Sequence, residues 1–166
     1  MKKRKNYIIG LAILGLVLLT SKVDAKALIA KFEGLRLKAY KDSGGVYTIG
    51  YGTVINPVTG QPIKAGDTIT KDTALQWLKI QTASVLTDVK KKLKVPQTDK
   101  QIAALTSLAY NIGIGAFSRS TLLRLVNAKA NKNEIAAQFI RWNKVNGQEV
   151  PGLTRRRQEE ADLYLS

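Results

Sequence analysis

Residues 33–52, EGLRLKAYKDSGGVYTIGYG, carry the stretch on which the architecture of this 166-residue chain turns. Leu35, Leu37 and Ala39 alternate with Arg36, Lys38 and Tyr40, the period of two expected of a half-buried strand. Asp42-Ser43-Gly44-Gly45 reads as a turn, and Val46 to Tyr51, rich in β-branched and aromatic residues, as a second strand. Asn56-Pro57 and Thr59-Gly60 mark another turn, with Ile63 on a short third strand. Upstream, Ala27 to Phe32 reads as a short helix that Gly34 stops. Downstream the period lengthens. Thr70 caps a helix with Asp72 in its first turn, and Leu75, Leu78, Val85, Leu86, Val89 and Leu93 recur along it as far as Lys90-Lys91-Lys92. Pro96 breaks the chain. Thr98 and Gln101 form a capping box opening a helix with Ile102, Leu105, Leu108 and Ala109, ended by Gly113 and Gly115. Further helices are expected over 121–128, 133–143 and 154–165, with a loop over 146–152. Together these give an α+β chain: a small antiparallel sheet lobe, a long helix, then a helical lobe.

The composition narrows the chemistry. The chain carries 27 Lys+Arg against 12 Asp+Glu, no His and no Cys, for a formal net charge of +15. That excludes a thiol nucleophile, a disulfide, a Ser-His-Asp triad and zinc sites built on His or Cys. Proton transfers must run through carboxylates, hydroxyls, lysines or a cofactor. Lys2, Lys3, Arg4, Lys5, Lys22 and Asp24 lie in residues 1–25, which leaves a net of +11 on the body and favours an anionic partner. Within the first 25 residues a basic head precedes an uncharged run from Asn6 to Ser21, whose apolar centre is Tyr7 to Leu19. That centre is shorter than the ~20 residues that comfortably span a bilayer. It reads as an export signal, with a possible cut after Ala25, or as a signal-anchor retained or released later. Either reading places the body outside the cytoplasm. Export, and the lack of a recognised binding motif, disfavour nucleic acid as the partner.

The carboxylates of the body are then sorted by context. Asp72 and Asp99 sit in first turns of helices. Asp88, Glu134, Glu159, Glu160 and Asp162 fall among basic residues in helices and read as solvated ion pairs. Asp67 and Glu149 read as turn residues. Glu33 and Asp42 differ. Glu33 closes the first helix between Phe32 and Leu35, an apolar setting of the kind that keeps a carboxylic acid protonated. Asp42 opens a turn whose hydroxyl and N–H groups favour its ionised form. One carboxyl of each kind is what glycoside hydrolysis uses. Thr48, six residues on, comes back beside Asp42 across the hairpin. From spacing alone, a C-terminal helix Glu and a turn Asp remain the plainer reading.

The spacing Glu-x8-Asp-x5-Thr within residues 33–52 closely resembles the catalytic region of phage-type lysozymes, glycoside hydrolase family 24. ITKDTALQW at 69–77 resembles the start of that family's long inter-lobe helix. ALTSLAYNIGIGAFSRSTLLRLVN at 104–127 is similar to a stretch of its helical lobe, and VPGLTRRRQEEADLYL at 150–165 to its C-terminal signature. The resemblance covers nearly all of residues 26–166, taken as the catalytic domain, and none of 1–25. It implies a two-lobed lysozyme-like fold with a cleft between the lobes. It implies an N-acetylmuramidase that cuts the β-1,4 bond between N-acetylmuramic acid and N-acetylglucosamine in peptidoglycan. Glu33 then matches the proton donor, Asp42 the second acid, and Thr48 the hydroxyl associated with the attacking water. Val54, Tyr110, Asn111 and Ser120 match residues lining the glycan cleft. Arg157 matches an arginine near the catalytic Glu, although the run Arg155-Arg156-Arg157 leaves its register open. Thr53 stands where relatives often carry His. The resemblance implies no metal or cofactor, a monomer, peptidoglycan strands as partner, contact with the inner membrane through residues 1–25, and a place in the periplasm, the cell wall or outside the cell. A lytic transglycosylase on the same bond and a non-catalytic peptidoglycan-binding relative are the alternatives.

Overall fold

The structure, a computed structural model, describes residues 24–42 and 44–166; the expected export segment, residues 1–23, lies outside them. Helix α1 (Ala25–Glu33) begins two residues earlier than its apolar run. Asp24 caps it, its carboxylate accepting from the Lys26 N–H at 2.9 Å. Gly34, at φ 67°, ends it. Strands β1 (Arg36–Lys41) and β2 (Tyr47–Gly50) pair antiparallel with Tyr40 opposite Thr48. The expected half-burial of β1 does not hold. Leu35 and Leu37 are 38% and 42% exposed, because a two-stranded sheet with a register shift between Arg36 and Tyr40 leaves that face uncovered. The other edge of β1 takes residues 67–69, where the Ala39 N–H donates to the Asp67 carbonyl and the Ile69 N–H to that of Leu37. Ile63 joins no third strand; its neighbourhood makes a single bridge between Ile55 and Pro62.

Helix α2 (Lys71–Lys92), about 33 Å long, joins the lobes. Ala74, Trp77 and Leu78 pack toward the sheet, and Val89 enters the helical core. Both expected caps form: Thr70 accepts from the Thr73 N–H, and Thr98 and Gln101 make the reciprocal box that opens α3 (Asp99–Ile112). Every residue of α3 from Ala103 to Ala109 is buried, so this helix runs through the middle of the molecule rather than presenting one face. Gly113, at φ 82°, ends α3 and opens a short α4 (Ile114–Ser118), which the spacing of glycines does not suggest. Helices α5 (Thr121–Asn127) and α6 (Lys132–Ile140) close over Leu105, Leu108 and Phe117. The expected loop at 146–152 is instead a hairpin, β3 (Lys144–Val145) and β4 (Gln148–Glu149), followed by α7 (Pro151–Leu165). Asn146 and Gly147 both have positive φ (51° and 79°), as a two-residue type I′ turn requires. Pro151 occupies the first turn of α7, where its missing N–H costs nothing.

Candidate active site

The site is assembled where α1, the sheet lobe, α3 and α7 meet. Glu33, the last residue of α1, keeps 18% of its side chain exposed. Its Oε1 accepts from Arg156 Nη1 at 2.7 Å. Its Oε2 faces Gly52, where a Cβ would lie only 3.1 Å from it; Gly52, at φ +83°, is what makes room for the carboxyl. The immediate partner of Glu33 is therefore a guanidinium and not the purely apolar wall expected from Phe32 and Leu35. Phe32 contributes its ring to the guanidinium instead, 5.6 Å from the Arg156 Cζ.

Among the three consecutive arginines, whose register the sequence leaves open, the structure sets Arg156 against Glu33. Arg157 does not reach Glu33 by hydrogen bond; Arg156 does. Arg157 lies about 100° further round α7 and is completely buried. There it donates from Nη2 to Glu160 Oε1 at 3.2 Å and sets Nε 2.9 Å from Oε2. Glu160 is likewise 0% exposed, which corrects its reading as a solvated ion pair. Burial lowers the Arg157 guanidinium to about 10, against the pull of Glu160. Burial also raises the Glu160 carboxyl, opposed first by Arg157, then by the Ser107 hydroxyl and by Arg156. Glu159, one residue away, does stay on the surface and pairs with Lys31.

Asp42 and Thr48 come together through Val46. Asp42 Oδ1 accepts from the N–H groups of Gly44 and Val46, both at 2.9 Å. The Val46 carbonyl in turn accepts from the Asp42 N–H at 2.9 Å and the Thr48 hydroxyl at 3.2 Å. The turn thus fixes one oxygen of Asp42, an exposed residue.

A shallow groove of about 270 Å³ beside Gly52 is lined by Gly52, Gln81, Ser84, Val85 and Tyr110. The Tyr110 hydroxyl donates to the Tyr51 carbonyl at 2.9 Å and lies 3.2 Å from Gln81 Oε1. Gln81 Oε1 also accepts from the buried Thr53 hydroxyl at 2.9 Å. Thr53 therefore makes an uncharged hydrogen bond that links the sheet lobe to α2. Burial, then the charge of Glu33, holds the Tyr110 phenol well above its ordinary range, with Arg156 opposing. Asn111 is exposed next to Tyr110, and Val54 is 39% exposed next to Thr53. The Ser120 hydroxyl is buried and caps α5, accepting from the Leu123 N–H and donating to the Phe117 carbonyl. Among the described residues no group of His, Cys, Asp and Glu is arranged to hold a metal. Arg156, Glu160, Gln81 and Gly52 were not singled out from the sequence; only Gly52, inside the GYG run, carried a local signal.

Comparison with known proteins places this arrangement. The Phage lysozyme family profile matches residues 30–160, from α1 before Glu33 to Glu160. The chain belongs to the phage lysozyme family. Within it, the endolysin of Acyrthosiphon pisum secondary endosymbiont phage 1 is 41% identical over 143 residues, covering 84% of this chain and 93% of that protein. A SAR-endolysin of Bacteriophage PS119 is 36% identical over 133 residues, covering 80% and 76%. The solved endolysin from Escherichia coli O157:H7 phage FAHEc1 superposes with a TM-score of 0.76 at 42% identity, over 92% of this chain and 96% of that one. This phage lysozyme family member is a lysozyme-type glycosidase with the lysozyme-like two-lobed fold.

Proposed function

We propose that the chain is an endolysin that hydrolyses the β-1,4 bond between N-acetylmuramic acid and N-acetylglucosamine, with Glu33 as proton donor and Asp42 with Thr48 serving the water. The observation that carries the reading is the division of the Glu33 carboxyl: Oε1 is committed to Arg156 while Oε2 stands beside Gly52. Oε2 then carries the transferable proton to the leaving glycosidic oxygen as the sugar ring becomes cationic. Asp42, one oxygen tied by backbone N–H groups, uses the other to take a proton from water attacking the opposite face. Tyr110, Asn111 and Val54 serve as cleft wall. Single displacement predicts a product of inverted anomeric configuration; a retained one overturns that step. Product mass separates hydrolysis from transglycosylation, whose product is lighter by one water.

The first turn of α1 bears on the membrane relation. A cut after Ala25 would remove the cap of α1 and the buried Ala25, which packs with Ile29, Leu78 and Ala103. Losing such a cap alone costs about 1 kcal/mol. That supports a signal-anchor that stays on the chain over a cleaved signal, and relatives described as SAR-endolysins point the same way. No helix among the described residues is long and apolar enough to cross a membrane. N-terminal sequencing of protein from membrane and periplasmic fractions should find the chain uncut at Ala25. A start at Lys26 contradicts this.

A further inference from the structure

We propose that Glu160, buried on α7, is a positioning residue that sets the place of the Glu33 carboxyl by orienting Arg156. The proposal rests on the reading of Glu33 as proton donor.

Three corners of the Arg156 guanidinium are occupied. Nε donates to Glu160 Oε1 at 3.2 Å, Nη2 to the Ser107 carbonyl at 3.4 Å, and Nη1 to Glu33 at 2.7 Å. A planar fork held at Nε and Nη2 has no freedom left to choose where Nη1 points. Glu160 is in turn held by the Ser107 hydroxyl at 2.6 Å and by Arg157, so its own carboxylate does not wander. Arg156 and Glu160, four apart on α7, share the face that meets Ser107 of α3; one turn further along α3 comes Tyr110. One buried carboxylate thus registers α7 on α3 and, through Arg156, registers both on the end of α1.

Stability alone gives no reason for this cluster. Buried ion pairs are commonly matched or bettered by well-packed apolar residues of similar volume. Here four charged groups alternate, Glu33, Arg156, Glu160 and Arg157, and Glu33 is the most exposed of them. Glu160 also balances charge: without it two arginines face Glu33 as their sole anion. The titratable and charged groups around Glu33 are Arg156, Arg157 and Glu160 from α7 and Tyr110 from α3.

The test compares Glu160→Gln with the double variant Glu160→Gln/Arg157→Met, on cell walls and on a soluble glycan oligomer. Glu160→Gln should lower kcat roughly tenfold and leave KM within about twofold. The double variant deletes a buried cation with the anion, so Tm returns toward wild type while kcat stays low. Wild-type kcat in folded Glu160→Gln, or kcat returning together with Tm in the double variant, overturns the proposal and makes Glu160 purely structural. Glu33→Gln run alongside separates the two readings. If it retains wild-type kcat, the donor assignment falls and this proposal with it; if it is inactive, a negative result concerns Glu160 alone.

Discussion

Replacing Gly52 with alanine perturbs Glu33, the proposed proton donor, without changing its side chain. Two effects act at this position. The backbone sits at φ +83°, where a side chain costs roughly 1–2 kcal/mol, and the new methyl would stand 3.1 Å from Glu33 Oε2. The carboxyl must therefore move by a few tenths of an ångström, against an Arg156 that is itself held at three corners. Misplacement by ~1 Å costs on the order of a hundredfold in rate, so a shift of this size should cost about three- to tenfold in kcat. Gly66 is the matched control. Its φ is +87°, and a Cβ there meets nothing within 4 Å. Gly66→Ala carries the same backbone penalty with no contact to the site. Both variants should lower Tm by roughly 3–8 °C, and only Gly52→Ala should slow hydrolysis of a soluble glycan oligomer. Equal rate losses in the two variants, or none in Gly52→Ala, would refute the reasoning.

Thr53→Val removes the donor to Gln81 and should cost about 1 kcal/mol by urea denaturation. Since neither partner titrates, the loss should be the same at pH 5 and pH 8; a loss confined to one pH contradicts the uncharged link. The raised phenol of Tyr110 keeps a native proton that the unfolded chain gives up, so its contribution is whole below about pH 10 and drains away as pH rises further. In a native-state absorbance titration Tyr110→Phe should delete one late-ionising phenol, leaving Tyr164, also raised by burial, as another. Loss of an early-ionising one instead would show that Tyr110 is open to water. The basic body should make wall clearing fall as salt rises toward about 0.5 M, where the Debye length drops below roughly 5 Å. Cleavage of an uncharged soluble oligomer should be far less sensitive; equal salt sensitivity would remove charge attraction as the cause.

Much of the fold was legible because its signals are local. Thr70, Thr98 with Gln101, Gly34 and Gly113 act on backbone within four residues of themselves, and each does in the structure what its type suggests. Asn146-Gly147 was equally local, a hairpin signal that reads as a loop when only its polarity is weighed. The burial of β1 was not legible, since alternation describes a strand and says nothing about whether anything covers its face. Asp42 and Thr48 were recoverable because a hairpin joins them. Glu160 was not: its helical spacing from Arg156 looks the same on a wet surface as beneath α3, and only the arrival of Ser107 distinguishes them. The choice between Arg156 and Arg157 turns likewise on which side of α7 meets α1. Ser120 stands before Thr121-Leu122-Leu123, the place of a helix cap, and it caps α5.

The central claim is that Glu33 delivers the proton that breaks the glycan strand. Glu33→Gln keeps an acceptor for Arg156 and nearly the same volume, so the variant should fold with a circular dichroism spectrum like that of wild type. In a cell-wall zymogram the wild-type chain should give a clear band and Glu33→Gln none at equal loading. Clearing by the folded variant at the wild-type rate would contradict it.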